Sequence, residues 1–241
     1  MVTLREIARQ LPLAPQLYNQ FRSTLLAVRP KGRVTAHGPA GIASAGHREY
    51  VGGMWHEIGR LQFNFLVNQG LRPNHYLLDI ACGSLRAGVH FIPYLDAGHY
   101  LGVEKEPELV ELGLREELGM VLENLKRPEL LVNGAFEFER LSNAPDFAIA
   151  QSLFTHTPGE VVVQCLRKLR PCMAKDGVFY STFFVGREKT KNASQAHDHR
   201  SWFYTRDELA GFARSAGWSM EYIGDWNHPR NQQMVAFRVA A

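Results

Sequence analysis

The sequence predicts an α/β protein with a doubly wound, mostly parallel sheet of seven strands, an antiparallel C-terminal hairpin strand and an N-terminal helical extension. Two observations support this fold class. Short apolar runs alternate with segments of helical period from about residue 76 to residue 217, which is typical of strands joined by helical crossovers. The last two apolar runs are joined only by residues 227–231, and so short a connection requires antiparallel pairing.

The first fifty residues differ from the rest and are expected to form a separate extension. Residues 3–29 mix polar and apolar side chains around two prolines, which predicts one or two short helices. Residues 38–46, with the sequence GPAGIASAG, consist mainly of small side chains and predict a mobile connection. The extension and connection are therefore assigned to residues 1–50 and the main domain to residues 51–241.

The elements of the main domain follow from periodicity and from helix-start signals. Met54 and the residues after it form an apolar stripe at helical spacing, which predicts a helix that ends near Gly70. Further helices are predicted over 84–95, from Pro107, after the capping-box sequence 157–160, and from the capping-box sequence 205–208 as far as Gly217. Strands are predicted at 76–79, 100–103, 130–132, 147–150, 177–184, 218–224 and 232–239.

Composition excludes several classes of protein. The chain of 241 residues is 45% hydrophobic and carries a formal net charge of +3, which is enough for one buried core but does not indicate a nucleic-acid partner. Three cysteines without metal-ligand spacing predict neither a disulfide framework nor a metal site, and favour a reduced, cytoplasmic compartment. No apolar run is long enough to span a membrane, and no secretory signal is recognisable.

The turn that follows the first predicted strand is the most informative part of the chain. In open α/β sheets, ligands bind beyond the carboxyl ends of the strands. Ala81 and Gly83 supply the small residues that let a ligand approach the backbone, and the next helix offers unpaired N–H groups. Glu104 ends the second strand, 25 residues after Asp79, and an acid at this position typically receives ribose hydroxyls. A dinucleotide and an adenosyl ligand both fit this pattern.

Two details favour the adenosyl ligand. Nicotinamide dinucleotides are bound by a G-x-G-x-x-G sequence, whereas residues 81–86 read ACGSLR and contain one glycine. Asp79 also precedes the turn, where its carboxylate would repel a pyrophosphate and attract an ammonium group.

From about residue 76 to residue 184 the sequence resembles class I S-adenosylmethionine-dependent methyltransferases. Asp79, Ala81 and Gly83 match the first motif of that family, and Glu104 matches the second. Residues 134–136 and 151–156 stand where the third and fourth motifs occur. The commonest first motif has glycine at the position of Ala81. Because alanine tolerates positive φ poorly, the turn is expected to differ slightly.

The resemblance implies a Rossmann-like fold and an enzyme that moves a methyl group from S-adenosylmethionine (SAM) to a small molecule. The fourth motif is similar to that of the branch that methylates sugars, natural products and organic acids, usually at oxygen. The residues expected to bind the cofactor are Trp55, Asp79, Ala81, Cys82, Gly83, Ser84, Arg86, Glu104, Lys105, Ala135, Phe136, Gln151 and Ser152. The residues expected to contact the acceptor are Tyr50, His156, His199, Asp225 and Trp226.

Other interpretations of these residues stay open at this point. His156 is the first candidate for a general base and His228 the second, but either histidine could instead bond the backbone or cap a helix. Cys82 could simply fill the core, Arg86 could be a surface side chain, and Trp226 could fold its turn. The rival functions are a nicotinamide-dependent oxidoreductase, an RNA methyltransferase or RNA-binding protein, and an inactive regulator that binds the cofactor. The oligomeric state is also open, with a homodimer among the options.

Overall fold

A computed structural model of the protein describes residues 37–195 and 200–239. The α-helices are α1 (Gly38–Ala45), α2 (His47–Tyr50), α3 (Trp55–Asn68), α4 (Gly88–Tyr94), α5 (Pro107–Leu112), α6 (Met120–Lys126), α7 (Gly159–Leu169) and α8 (Arg206–Ser215). The strands are β1 (Leu77–Ile80), β2 (Tyr100–Glu104), β3 (Glu129–Val132), β4 (Phe147–Ala150), β5 (Val178–Val185), β6 (Phe203–Tyr204), β7 (Trp218–Asp225) and β8 (Gln233–Val239). A π-helical segment, Gly113–Leu118, continues α5.

The strands form one sheet in the order β3-β2-β1-β4-β5-β8-β7. Strands β1 to β5 are parallel, and β8 is antiparallel to both β5 and β7. The predicted seven-stranded sheet with its antiparallel hairpin is therefore confirmed. An eighth strand, β6, pairs with the end of β5. It was not predicted, because two residues are too few to show a period.

Two apolar clusters cover the two faces of the sheet. Leu78 and Ile80 of β1 belong to the cluster that contains α7 and α8, whereas Leu77 belongs to the cluster that contains residues of α3 and α4. Adjacent residues of a strand point to opposite faces, so β1 lies buried between two helical layers. No helix within the described ranges is long and apolar enough to cross a membrane.

Most helix signals agree with the structure. Pro107 occupies the first turn of α5. Thr205 caps α8 through a complete capping box with Glu208. The predicted capping box at 157–160 is wrong, because α7 begins at Gly159 and Pro158 stands at the N-cap position. The buried Thr157 hydroxyl has no hydrogen-bond partner among the described residues.

Two further predictions need correction. The small-residue stretch predicted to be a mobile connection forms helix α1, with a proline in its first turn, and the Tyr50 hydroxyl accepts a hydrogen bond from Gly38 N–H at 3.0 Å. The helix predicted from residue 84 begins only at Gly88, because residues 81–87 form an irregular turn. The helices predicted over residues 3–29 lie outside the described residues.

Candidate functional site

The turn after β1 brings bare backbone to the carboxyl edge of the sheet. Ala81, Gly83 and Leu85 have φ values of 58°, 57° and 67°, so left-handed residues alternate through the turn. Ala81 adopts the left-handed conformation despite its side chain, and the expected difference from the glycine form of the turn stays a prediction. For a residue with a Cβ the left-handed conformation costs roughly 1–2 kcal/mol. The Cys82 side chain is buried in the core, and the backbone N–H of Cys82 donates to Val103 O at 3.1 Å.

Glu104 links the ends of β1 and β2. Its carboxylate is buried and accepts hydrogen bonds from Gly83 N–H (2.9 Å), Lys105 N–H (2.8 Å) and Glu106 N–H (3.0 Å). Burial raises the pKa of Glu104, although these three amides oppose the rise. The acid predicted to bind a ribose is therefore held rigidly beside the glycine turn.

Asp79 is a second buried acid at the same edge. It is 4% exposed and accepts a hydrogen bond from the Tyr100 hydroxyl at 2.8 Å. Burial raises the pKa of Asp79 to about 7, against the opposing effects of Tyr100 and of the positive charge of Arg86. A cationic group bound beside this carboxyl would favour its ionised form.

The loops after β2 and β3 lie against one another. A Cβ on Gly134 would stand 3.3 Å from the Cβ of Lys105, and Phe136, whose φ is 58°, has its ring centroid 5.8 Å from that of Phe138. Ala135 and Lys105 are exposed. The loop predicted to line an adenine thus lies against Lys105, the residue that follows Glu104.

A segment before α3 covers the glycine turn. The His47 Nδ1 lies 3.0 Å from Ser84 Oγ, and its Nε2 lies 3.3 Å from a Glu117 carboxylate oxygen. Trp55 is buried and packs edge-on against His47, with ring centroids 5.7 Å apart. A Cβ on Gly83 would stand 2.9 Å from Val51 Cγ1, so only glycine permits this cover.

Arg86 ties the covering segment to the sheet. It is 8% exposed, so the alternative interpretation as a surface arginine is wrong. Its guanidinium donates to Val51 O (3.1 Å), Gly53 O (2.9 Å) and Gln151 Oε1 (2.5 Å). Burial and, next, the charge of Arg230 lower the pKa of Arg86 to about 10.

A polar network lies beyond Arg86 at the ends of β4, β5 and β8. The Gln151 side-chain amide donates to Ser152 Oγ at 2.8 Å and to Gln232 Oε1 at 3.1 Å, and its Nε2 lies 3.1 Å from His228 Nε2. The Thr182 hydroxyl donates to Gln232 Oε1 at 2.8 Å. Gln151, Thr182, His228 and Gln232 are all buried. The network therefore forms a polar floor at the carboxyl edge of the sheet.

The two candidate bases differ in their surroundings. His156 Nδ1 lies 2.6 Å from the Arg200 carbonyl oxygen, which can only accept, so Nδ1 carries a proton. His228 is 3% exposed, and its Nδ1 accepts from Arg230 N–H at 3.2 Å while its Nε2 faces Gln151. The structure therefore gives His228 a place in the polar network and does not support it as a base.

Three residues predicted to contact the acceptor have structural partners instead. Trp226 is 5% exposed, donates from Nε1 to Gln232 O at 2.9 Å and packs edge-on against Phe65. Asp225 is exposed and accepts from Asn227 N–H within its turn. Tyr50 bonds the start of α1, as described above. His199 lies outside the described residues, and no group of three His, Cys, Asp or Glu side chains in the described ranges could hold a metal ion.

The same arrangement of strands occurs in solved methyltransferases. Magnesium protoporphyrin IX methyltransferase (ChlM) from Synechocystis PCC 6803, solved with bound SAM, matches with a TM-score of 0.57 at 14% identity, over 94% of this chain and 96% of that chain. The complex of DhpI with SAH matches at 0.60 and 15% identity, over 82% and 92%. The CcbJ methyltransferase from Streptomyces caelestis matches at 0.57 and 16% identity, over 76% and 90%. No family model matches the sequence.

The chain has the class I methyltransferase fold. Within this methyltransferase fold, sequence reasoning found both buried acids and the turn between them. It missed Thr182, Gln232, Arg230 and His47, which come from distant segments and carry no local motif. Two neighbouring glutamines where β8 begins, Gln232 and Gln233, were the available sequence signal for the polar floor.

Proposed function

We propose that the protein transfers the methyl group of SAM to an oxygen atom of a small-molecule acceptor. One observation carries the proposal: two buried carboxylates, Asp79 and Glu104, stand at the carboxyl ends of adjacent parallel strands on either side of a bare glycine turn. These two carboxylates are hydrogen-bond acceptors and fit a ligand that carries an ammonium group and a ribose. When bound, the cofactor supplies an electrophilic methyl group and so carries the difficult chemistry.

The residues of the chain bind and orient the cofactor and enclose the reacting groups. Asp79 would pair with the ammonium group, Glu104 would accept from the ribose hydroxyls, and Ala135 with Phe136 would hold the adenine. Val51 and Trp55, which cover the turn, exclude water from the reacting groups. Holding the acceptor in line with the methyl group is mainly an effect of proximity.

His156 is the residue we assign to remove the acceptor proton. The Arg200 carbonyl holds a proton on Nδ1, so the neutral form of His156 would accept the acceptor proton at Nε2. ChlM, DhpI and CcbJ share the fold, which supports methyl transfer as the reaction class but leaves the acceptor open.

Calorimetric titration of the purified protein with SAH tests the cofactor assignment, with NAD⁺ as the comparison ligand. We expect saturable binding of SAH and none of NAD⁺. Absence of SAH binding at millimolar concentration would refute the proposal, and binding of NAD⁺ alone would favour the oxidoreductase.

A screen of metabolite extracts with methyl-labelled SAM then identifies the acceptor class. With an acceptor found, His156→Gln should lower kcat by roughly a hundredfold or more, the usual contribution of general base catalysis, and change the dependence of kcat on pH. His75→Gln, which alters a histidine at the opposite end of β1, is the control. An unchanged pH profile in His156→Gln would remove His156 from the base role.

A further inference from the structure

The ring of Tyr100 reaches Asp79 from the neighbouring strand. In the β1–β2 pairing, Tyr100 lies opposite Leu77, two residues before Asp79. The two polar residues are therefore diagonal neighbours on one face of the sheet. Gly102 lies directly opposite Asp79, and a Cβ on it would stand 3.2 Å from Tyr100 Cε1. Because Gly102 has no side chain, the ring can lie over it and bring its hydroxyl 2.8 Å from Asp79 Oδ2.

The Asp79 carboxyl depends on this single donor, unlike the second buried acid of the site. Glu104 accepts from three backbone amides, whereas Tyr100 is the one donor to the Asp79 side chain among the residues that the structure describes. The buried side-chain atoms without a partner in those ranges are His99 Nδ1 and Thr157 Oγ1. Oδ1 of Asp79 is therefore not sealed in the core, and a ligand can contact it.

The charge of Asp79 is controlled by its neighbours. Burial raises the pKa of Asp79 to about 7, and the hydrogen bond from Tyr100 is the strongest effect that opposes the rise. The charge of Arg86 also lowers this pKa, whereas the charge of Glu104 raises it. The Cys82 thiol stays neutral, because burial and the charge of Asp79 raise its pKa. Burial likewise raises the pKa of Tyr100 well above its ordinary value of 10.0, so the hydroxyl keeps the proton that it donates.

We propose that Tyr100 is a positioning residue of the cofactor site, whose hydroxyl orients Asp79 and stabilises the ionised carboxylate that binds the ammonium group. This inference rests on the proposed function, because it concerns the pairing of Asp79 with the cofactor. A hydroxyl that donates to a carboxylate favours its charged form. Tyr100 is 2% exposed and acts through Asp79. Its loss should therefore change the pH at which Asp79 binds, and not how tightly the ionised form binds.

The test measures affinity for SAH between pH 6 and pH 8.5 in the wild type and in Tyr100→Phe, which removes the hydroxyl and keeps the ring. The midpoint of the profile should move up by about one pH unit, the usual strength of a hydrogen bond to a charged group. At pH 7 the variant should bind SAH about fivefold more weakly, and by pH 8.5 the difference should fall below about twofold. A uniform loss of affinity at every pH would mean a merely structural role and overturn the inference.

Tyr180→Phe is the matched control. Tyr180 is also buried in the sheet, but its hydroxyl donates to the neutral Gln69 Oε1 at 3.3 Å. The control loses the same atom, and its profile of SAH affinity against pH should coincide with that of the wild type. A shift in Tyr180→Phe as large as that in Tyr100→Phe would contradict the inference.

A second measurement follows Asp79 without the cofactor. The ¹³C resonance of its side-chain carboxyl is titrated by NMR in the ligand-free protein and assigned from its absence in Asp79→Asn. We expect a higher midpoint in Tyr100→Phe, and a lower one when 3-fluorotyrosine replaces Tyr100, because fluorine makes the phenol a stronger donor. The fluorinated protein keeps the test decisive if Tyr100→Phe does not fold. An unchanged midpoint in the fluorinated protein, or a lowered one in Tyr100→Phe, would refute the inference.

The two measurements separate this inference from the proposed function. If SAH binds and the Asp79 midpoint is the same with and without the Tyr100 hydroxyl, the inference fails and the proposed function stands. If the midpoint moves as expected but the wild type does not bind SAH, the proposed function is refuted, while control of the Asp79 charge by Tyr100 is supported.

Discussion

The β1–β2 side and the β4–β8 side of the sheet edge are built in different ways. On the β1–β2 side, Asp79 and Glu104 are only 25 residues apart, and their bonds are to the turn and strand beside them. On the β4–β8 side, Gln151 bonds to Gln232 across 81 residues of sequence. The first side contains buried acids that a ligand can engage, whereas the second is an internally bonded group of amides and hydroxyls. Substitutions on the first side should therefore impair binding, and those on the second should impair folding.

The largest effect is expected from Gln151→Leu. The change leaves the buried Arg86, His228 and Gln232 without a shared partner, and loss of a hydrogen bond to a buried charge costs about 3 kcal/mol. Urea denaturation should show this decrease in the free energy of unfolding. Gln164→Leu, at an exposed position of α7, should change it by less than about 0.5 kcal/mol. Equal effects of the two variants would mean that the network contributes nothing to stability.

Glu104→Gln should chiefly affect the cofactor. The amide can still accept hydrogen bonds but is neutral, so SAH affinity should fall by about 2 kcal/mol, roughly thirtyfold. Glu106→Gln, two residues away and paired with Lys105, provides a matched control with the same loss of charge. A larger loss of SAH affinity in Glu106→Gln than in Glu104→Gln would contradict the assignment of the ribose acid.

A smaller effect should appear in the pH dependence of SAH binding. Because the pKa of Asp79 is raised to about 7, the fraction of ionised Asp79 rises about tenfold between pH 6 and pH 8. Affinity for SAH should rise by about the same factor, and Asp79→Asn should show a flat profile in this range. If SAH affinity of the wild type does not change with pH in this range, Asp79 does not bind the ammonium group.

The raised pKa of Asp79 also predicts how the stability of the ligand-free protein depends on pH. The folded protein holds the Asp79 proton more tightly than the unfolded chain, whose ordinary pKa is 3.8. The stabilising contribution is therefore complete below pH 3.8 and is lost as the pH rises through 7. In denaturation experiments on the ligand-free protein, the free energy of unfolding should decrease as the pH rises through this range. Asp79→Asn should remove the part of that decrease that Asp79 causes. An unchanged decline would show that other groups cause it.

The contrast between the two sides also explains what could be predicted from the sequence. The acid–glycine turn, the strand order of the hairpin and the capping box at Thr205 depend on neighbours in sequence, and their patterns are visible there. Helix α1 was missed because its two glycines and its proline suggest a loop although its alanines favour a helix, and because Tyr50, twelve residues away, bonds its first N–H. The polar floor was missed because its members meet only after the sheet has formed.

The π-helical segment Gly113–Leu118 determines what the deletion of a single residue from this part of the chain would do. It directs both Glu116 and Glu117 towards His47, at 3.4 Å and 3.3 Å, and Arg48 also bonds Glu117. A π-turn contains one residue more than an α-turn, so deletion of a single residue here would restore ordinary winding and rotate the acids by about 100°. Helix α2 would then lose its anchor while every strand kept its register. A one-codon deletion in this segment should therefore uncover the glycine turn without altering the sheet beneath it.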